Sequence, residues 1–288
     1  MPLPSEPLVF SHDVAGLGLA TDAALAQLLD RYPEELFDIN AYSYDADGQV
    51  SLATGSRGRA DGATLLDEIK AGRLWVNLRD VQDAHPDLWE PIAGSFSDLA
   101  DRMKVRPIKT TGQLILSSPT TRVPYHFDAA GVVLYHLRGR KRLFVYPPDD
   151  THLPQAGMEQ TIMRTTTEEL PYNRAMDANA WTVDLEAGQA VTWPLYAPHR
   201  VENLGEFNVS LSLDFQTWDT RITRGAHFAN GVMRGWGVTP APMHRTPVVA
   251  RAALWACSLA MKKANLAQNR IKDIERSFEL GAGRRAAA

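Results

Sequence analysis

Three side chains in the second half of the chain have the types and spacing of a metal site. His126 and Asp128 are separated by one residue, and residues two apart in a β-strand project from the same face. His199 follows 71 residues later, at the end of the run WPLYAPH. Two imidazoles and one carboxylate on one side of an ion leave positions open for other ligands, as in non-haem iron(II) oxygenases. We therefore predict that His126, Asp128 and His199 bind Fe(II) and form the catalytic centre.

The H-x-D pattern occurs a second time, at His85 and Asp87. This pair stands directly before a predicted helix, where an acidic residue in the first turn interacts favourably with the helix dipole. We therefore assign Asp87 to the helix and not to a metal. His136 is in phase with His126 on a β-type run, but ten residues of strand separate them, too far for one ion. We expect His136 to be structural.

The region around the predicted ligands is rich in short β-type segments. From about residue 106, apolar runs are separated by proline and glycine, which is typical of a β-sandwich or barrel. Strands are predicted at 113–117, 132–137, 142–146, 181–185, 190–194 and 208–216. Before them, the periodicity indicates helices at 21–32, 61–71 and 87–103 and strands at 36–44, 49–54 and 74–78, with a hairpin turn at Asp47-Gly48. After them, a helix is predicted at 247–267, followed by a charged stretch at 270–279.

Several further landmarks keep a fixed spacing from the three ligands. The residues GRKR at 139–142 lead into YPP at 146–148, and Lys141 stands fifteen residues after the first ligand. Gly188 lies eleven residues before the last ligand. Together with the ligands, this pattern over 113–216 resembles the jumonji-type, cupin-like 2-oxoglutarate oxygenases. The motif SSP that begins at Ser117 is similar to the bacterial cupin-like branch.

The resemblance implies a mainly β fold with a double-stranded β-helix, the jelly-roll or cupin-like barrel, as its core. Helices would flank this core at the N-terminal and C-terminal ends. We expect an N-terminal segment at 1–105 that packs on the barrel, a metal-binding core at 106–220 and a C-terminal helical extension at 221–288. The tail from about residue 281 is expected to be disordered.

The resemblance also implies a cosubstrate, 2-oxoglutarate, and the hydroxylation of a C–H bond with O₂, giving succinate and CO₂. Lys141 occupies the position that binds the distal carboxylate in the family. A dianion inside a barrel needs a buried cation, and alternation places Lys141 on one face with Leu143 and Val145. Ser117 and Tyr125 are further candidates for contact with the cosubstrate.

The sequence departs from the family at three positions near the ligands. Val123 and Val132 stand where relatives carry threonine and asparagine, and Asp214 stands where some carry asparagine. A cupin-type metal dioxygenase that does not use 2-oxoglutarate therefore stays open, as does a ligand-binding regulator without catalysis. Substitution of Lys141 distinguishes the dioxygenase from a 2-oxoglutarate oxygenase, because only the 2-oxoglutarate enzyme depends on that cation.

Composition limits the classes of partner. The net charge is −4 and the isoelectric point about 6.1, which disfavours nucleic-acid binding because that usually needs a basic face. No run reaches the ~18 apolar residues of a membrane span, and the N-terminus does not resemble a signal peptide. We expect a cytoplasmic protein whose substrate is a small molecule or another protein.

Two expectations concern the C-terminal helix. Cys257, the one cysteine of the chain, lies in an apolar run, and we expect a buried thiol in a reducing compartment. Leu254, Trp255 and Leu259 lie on the same predicted helix. They either pack against the barrel or form the interface of a homodimer, which is the interpretation we favour.

Overall fold

The computed structural model describes residues 4–14, 19, 21–44, 50–166, 170–267 and 276–280. Within these ranges the strands form one sheet of nine and one of four. The strands are β1 (Leu8–Ser11), β2 (Phe37–Tyr44), β3 (Val50–Ser56), β4 (Leu74–Leu78), β5 (Lys109–Ser117), β6 (Arg122–His126), β7 (Gly131–Arg138), β8 (Arg140–Val145), β9 (Trp181–Glu186), β10 (Gln189–Thr192), β11 (His199–Asn203), β12 (Asn208–Gln216) and β13 (Arg276–Glu279). The helices are α1 (Asp22–Arg31), α2 (Gly62–Ala71), α3 (Val81–Ala84), α4 (Pro86–Arg102), α5 (Gln155–Ile162), α6 (Trp218–Gly235) and α7 (Val248–Lys263).

The first two helices begin directly after residues that cap them, Thr21 and Asp61. Thr21 Oγ1 accepts a hydrogen bond from Ala24 N at 3.2 Å, and Asp61 Oδ1 accepts one from Thr64 N at 2.8 Å. Such caps satisfy amide groups that the first turn of a helix leaves without partners. Asp87 lies in the first turn of α4, so the second H-x-D pair belongs to a helix start, as expected.

Strands β5 to β12 form a double-stranded β-helix. In the large sheet they follow the order β10-β7-β12-β5, and in the small sheet the order β6-β11-β8-β9. All the pairings among them are antiparallel. Because the chain passes repeatedly between the two sheets, they face each other as the walls of a jelly-roll barrel. The predicted fold class is confirmed.

The two faces of the large sheet have different environments. Its outer face packs on α1, α2 and α4 in a core that includes Leu29, Ile69, Ile92, Leu114 and Leu213. Its inner face meets the small sheet in a second apolar cluster, which includes Val132, Leu134, Leu143, Val145 and Val201. Alternation along each strand therefore separates a helix-covered core from the lining of the barrel.

The large sheet extends beyond the barrel on both sides. β1 pairs with β10, and β4, β2, β3 and β13 continue the sheet after β5. The sheet thus takes strands from all three segments predicted at 1–105, 106–220 and 221–288. That division remains a prediction, but the segments share one continuous sheet.

The helical prediction for the C-terminal extension is wrong at its end. Residues Arg276–Glu279 form a strand that pairs in parallel with β3. The ring of Phe278 lies so close to Gly55 that a Cβ there would be 2.4 Å from its Cε2 atom. This strand pairs with the edge of β3, which would otherwise leave its backbone groups without partners. The pairing is long-range, so local periodicity does not reveal it. The turn at Asp47-Gly48 and the tail from 281 lie outside the described residues.

The helix predicted at 247–267 is α7, and it packs against α6. Cys257 on this helix is exposed, so the expectation of a buried thiol is wrong. The helix buries one face against its neighbour, and the cysteine lies on another. No helix in the described part of the chain is long and apolar enough to cross a membrane.

Candidate metal centre

The structure brings the three predicted ligands together at one end of the barrel. His126 ends β6 and His199 begins β11, and the two residues are paired across the small sheet. Asp128 follows β6 by two residues. One ligand atom from each of the three side chains lies within 4.8 Å of the others, and the imidazole rings are 4.2 Å apart between centroids.

Backbone carbonyls fix the orientation of both imidazoles. His126 Nδ1 is 2.8 Å from the carbonyl oxygen of Pro124, and His199 Nδ1 is 3.1 Å from that of Ala197. A carbonyl only accepts hydrogen bonds, so each Nδ1 carries the proton and each Nε2 presents a lone pair. Metal-binding histidines are commonly held in this way.

The electrostatics of the site call for a cation between the three groups. His199 Nε2 faces Asp128 Oδ2 at 3.3 Å, so a lone pair meets a carboxylate oxygen. Burial lowers the pKa of His199 well below its usual value, with the nearby His126 acting in the same direction. Burial also raises the pKa of Asp128, against the influence of His126. Two imidazole nitrogens and one carboxylate fit a divalent ion of the iron type.

A polar network outside the barrel supports the strand that begins with His199. Arg200 points to the other face of β11, where its guanidinium lies 3.4 Å from the ring centroid of Phe144. Asp177 accepts hydrogen bonds from Arg200 Nη2 at 2.7 Å and from the hydroxyls of Tyr146 and Tyr172. Sequence reasoning missed this network because Asp177 is distant in the chain and has no motif.

Lys141 occupies the inner face of β8, as alternation predicts. Its side chain is only 4% exposed, and it shares this face with Leu143 and Val145. Val145 is paired with His199 across β8 and β11. Lys141 lies four residues before Val145 on the same strand, which places it about 13 Å along the strand from the position of His199. Within the described residues, no hydrogen bond or ion pair reaches its ammonium group. Burial lowers the pKa of Lys141 to about 7.

Ser117 lies at the Lys141 end of the barrel. Asn203 on β11 is directly opposite Lys141, and directly opposed side chains share a face. Asn203 Nδ2 donates to Ser117 Oγ at 2.9 Å and to the carbonyl of Ser118 at 2.7 Å. Asn203 therefore links the large sheet to the strand beside Lys141.

His136 has the structural role that we expected. It is fully buried, with Nδ1 2.9 Å from Ser210 Oγ and Nε2 2.9 Å from the carbonyl of Gly139. Burial lowers the pKa of His136 to about 3, with a smaller contribution from the charge of Lys141. The ring is therefore a neutral part of the wall near Lys141.

Tyr125 is placed differently from the sequence prediction. It precedes His126 in β6 and points to the opposite face, away from the barrel interior. Its hydroxyl donates to the carbonyl of His152 at 2.9 Å, and its ring packs edge-on against Tyr146 at 4.9 Å. We therefore leave Tyr125 out of the proposed cosubstrate site.

The three departures from the family pattern line the barrel. Val132 is 3% exposed within the inner cluster, and Val123 packs against that cluster. Asp214 on β12 is paired with Val132 and accepts hydrogen bonds from Gln113 Nε2 at 3.1 Å and Ser212 Oγ at 3.3 Å. The interior near the triad thus has apolar side chains and a held carboxylate.

Comparisons with known proteins agree with this architecture. The family model described as "Cupin-like domain" matches residues 55–220, more than half of the 288-residue chain. The chain therefore belongs to the cupin-like domain family. No curated protein matches the chain by sequence.

Among solved structures, the chain is similar to YcfD from Escherichia coli. One YcfD structure shares 18% identity with a TM-score of 0.49, and the match covers 92% of this chain and 66% of that one. Another, described as a ribosomal oxygenase in complex with cobalt and 2-oxoglutarate, shares 18% identity with a TM-score of 0.47, covering 90% and 63%. The chain spans less than two thirds of the YcfD length.

Proposed function

We propose that the protein is an Fe(II)- and 2-oxoglutarate-dependent oxygenase that hydroxylates a C–H bond of a small-molecule or protein substrate. One oxygen atom of O₂ enters the substrate as a hydroxyl group. The other enters succinate as 2-oxoglutarate loses CO₂. His126, Asp128 and His199 are the proposed metal ligands and catalytic centre.

The observation that carries this proposal is the relation between Lys141 and the triad. An ammonium group without an anionic partner is costly inside a barrel. This cation stands on the same inner face as the triad, about 13 Å further along the strand. The span suits a dicarboxylate whose keto acid lies at the triad and whose far carboxylate lies at Lys141. A ligand of this kind supplies the partner that Lys141 lacks.

Different residues of the chain have different roles in the proposed reaction. Fe(II), when bound, supplies the redox chemistry with O₂. The two Nε2 atoms and the Asp128 carboxylate would hold the ion. Lys141 orients the cosubstrate, and Ser117 and Asn203 define the end of its site. Leu143 and Val145 exclude water between the two ends.

A cupin-type metal dioxygenase without 2-oxoglutarate is the second candidate. It is favoured by Val123 and Val132, whose apolar side chains lie near the triad and cannot donate hydrogen bonds to a cosubstrate. Such an enzyme would not depend on Lys141. The same experiment therefore separates the two candidates.

The test is an anaerobic titration of the metal-free protein with Fe(II) and 2-oxoglutarate, followed by the metal-to-ligand charge-transfer band. We expect a band with the wild type and a large loss of 2-oxoglutarate affinity in Lys141→Met. Arg140→Met is the matched control, because Arg140 is the exposed neighbour on the other face of β8 and pairs with Glu186. Absence of the band in the wild type would refute the proposal. A band that survives unchanged in Lys141→Met would refute the role of Lys141, whereas Fe(II) binding without a band in the wild type would support the second candidate.

We also propose that α7 forms a homodimer interface. Val249 is 82% exposed and Leu259 is 50% exposed, and between Val248 and Met261 the helix carries one charged residue, Arg251. The exposed small residues beside them are Ala253, Ala256, Cys257 and Ala260. A twofold contact of this face with a second copy would cover these apolar atoms. Light scattering should give a dimer mass for the wild type and a monomer mass for Ala256→Glu.

A further inference from the structure

The inner face of the large sheet continues past the barrel onto β4 and β2. Trp75 on β4 is paired with Ser117, and Asp38 on β2 is paired with Asn77. Since paired residues share a face, these side chains point to the same side as the barrel lining. The helices α1, α2 and α4 pack on the other face, against residues such as Ile39 and Val76. This face of β4 and β2, which carries Trp75, Asn77 and Asp38, therefore extends the sheet surface beside the barrel, and we call it the shelf.

Four polar side chains on this face form a connected row, which we call the polar row: Asp38, Asn77, Gln113 and Asp214. Asn77 Nδ2 donates to Gln113 Oε1 at 2.6 Å, and Gln113 Nε2 donates to Asp214 Oδ2 at 3.1 Å. At the outer end, Asp38 is hydrogen-bonded to Asn77 and lies 3.0 Å from Arg79 Nε. The row crosses four strands diagonally and fixes both amide groups in one orientation.

The inner end of the row lies at the triad end of the barrel. Asp214 is paired with Val132, which follows Asp128 by only four residues in the chain. Val132 belongs to the same lining as Val145, the residue paired with His199. A ligand on the shelf can therefore extend from Asp38 towards the triad without passing Lys141, which lies at the other end of the barrel.

The row contains a buried acceptor without a partner. Asn77 is 4% exposed, and its Oδ1 atom has no hydrogen bond within the described residues. A buried polar atom in this state costs about 1–3 kcal/mol. The amide nitrogen of Asn77 already donates to Gln113 and Asp38. The atom without a partner is therefore the acceptor Oδ1, which requires a hydrogen-bond donor. The carboxylates at both ends of the row also accept hydrogen bonds only.

From this arrangement we propose that the polar row is the substrate-recognition surface and that it selects a substrate bearing a nitrogen hydrogen-bond donor, a primary amide or amine. The inference rests on the proposed function, because it takes the triad as the reaction centre. Asn77 and Gln113 act as specificity-determining residues, and Asp214 directs the donor group towards the triad end. A purely apolar group would leave Asn77 Oδ1 unsatisfied and is therefore disfavoured.

The test uses three blocked amino acids that differ only in the side chain: the N-acetyl, N′-methylamide derivatives of glutamine, glutamate and norleucine. The blocking groups remove the terminal charges that could direct a probe to Lys141. Binding is measured by NMR on the full-length protein loaded with Mn(II) and 2-oxoglutarate without O₂. The glutamine probe should bind about tenfold more tightly than the norleucine probe, and the glutamate probe should bind more weakly than the glutamine probe. Among the three probes, the side-chain protons of the glutamine probe should show the strongest paramagnetic relaxation by Mn(II).

Two variants and a control locate the effect in the row. Gln113→Leu removes both hydrogen bonds of the central amide, and Ser212→Ala removes only the hydroxyl that donates to Asp214. Both should reduce the preference for the glutamine probe, Gln113→Leu more strongly, while their thermal unfolding verifies the fold. Thr54→Val is the control, because Thr54 lies on the same face but donates to Asn40 and not to the row. Equal binding of the three probes, or an unchanged preference in Gln113→Leu, would overturn the proposal.

The same samples separate this proposal from the proposed function. Saturation-transfer NMR on the metal-free protein reports probe binding without Mn(II) or 2-oxoglutarate. A preference for glutamine in a protein that binds no metal would support the row and refute the oxygenase. Metal and 2-oxoglutarate binding without the preference would support the oxygenase and refute the row.

Discussion

Asn203 on β11 lies directly opposite Lys141 on β8, on the inner face of the small sheet. Two strand residues further along, the same pair of strands joins Val201 to Leu143, and beyond them His199 to Val145. One register thus sets both ends of the proposed cosubstrate site. The distance between Lys141 and the proposed ligand His199 is fixed by backbone pairing and not by flexible loops.

This relationship predicts the effect of a charge at position 203. In Asn203→Asp the new carboxylate would pair with the Lys141 ammonium and occupy the role of the distal carboxylate of 2-oxoglutarate. We expect the affinity for 2-oxoglutarate to fall at least about tenfold, because the Lys141 charge is already neutralised at short range. Isothermal titration with the Mn(II)-loaded protein measures the change.

The control for this substitution is Asn203→Leu. It also loses the hydrogen bonds to Ser117 and Ser118 but brings no charge. It should therefore reduce 2-oxoglutarate affinity less than Asn203→Asp does. If the two variants bind 2-oxoglutarate equally, Asn203 affects the site through its hydrogen bonds alone, and the pairing of the aspartate with Lys141 is wrong.

Lys141 should also give the ligand-free protein a distinctive pH dependence. Burial lowers its pKa from 10.5 to about 7, so between these values the unfolded chain binds a proton that the folded protein has released. The contribution of Lys141 to stability therefore rises with pH across this window, by about 1.4 kcal/mol per unit. Below pH 7 the full cost of the buried charge remains.

The measurement is denaturant unfolding of the wild type and Lys141→Met between pH 6 and pH 10, without metal or 2-oxoglutarate. Lys141→Met should be the more stable protein at pH 6, and the difference should shrink as the pH rises. The charge of Lys141 acts on the neighbouring His136, whose pKa of about 3 keeps it neutral throughout this range. Parallel stability curves for the two proteins would show that Lys141 does not titrate in this window.

The parts of the fold that sequence predicts well are those with a strong local pattern. Residues 208–216 alternate between apolar and polar side chains, and in residues 74–78 Leu and Val alternate with Trp75 and Asn77. Both segments appear as strands with the predicted bounds. The helices predicted at 21–32 and 61–71 also begin as expected, with Thr21 and Asp61 as their N-caps. In these segments the local preference and the tertiary environment favour the same structure.

The two strands that carry the proposed ligands His126 and His199 were not among those predicted. β6 and β11 have five residues each, with Pro124 inside one and Pro198 directly before the other, and prolines normally argue against a strand. They form because the two strands pair with each other and β11 also pairs with β8, which are long-range contacts. The three proposed ligands could be selected from the sequence by their types and spacing, and the structure places their ligand atoms within 4.8 Å of one another.

Contacts made across the fold are a second class of information absent from the sequence. The exposure of Cys257 depends on which face of α7 packs against α6, and the role of Asn203 depends on the register of β11 against β8. The missing partner of Lys141 is likewise visible only when its surroundings are known. The spacing of Lys141 from His126 predicted its position, and the structure adds that no described residue neutralises it.

Tyr125 offers a test of the difference between the sequence prediction and the structure. Its hydroxyl donates to the carbonyl of His152 outside the barrel, so Tyr125→Phe removes one buried hydrogen bond. We expect a loss of about 1 kcal/mol in the free energy of unfolding and an unchanged affinity for 2-oxoglutarate. Thermal unfolding and titration of the same variant measure both quantities. A selective loss of cosubstrate affinity would restore Tyr125 to the binding site.

Removal of one metal ligand should separate metal binding from folding. In His126→Ala the remaining His199 and Asp128 cannot enclose an ion from one side, so Co(II) should no longer stabilise the protein. For the wild type, Co(II) at about 100 times its dissociation constant should raise the unfolding free energy by about 2.7 kcal/mol. His85→Ala is the matched control, because it belongs to the other H-x-D pair of the chain. Unfolding curves with and without Co(II) give the result, and the d–d absorption of Co(II) reports its coordination.

If His85→Ala abolishes the stabilisation and His126→Ala retains it, the assignment of the two pairs is reversed. The structure argues against that outcome, because in the described chain only the His126 pair has a third ligand, His199, within 4.8 Å.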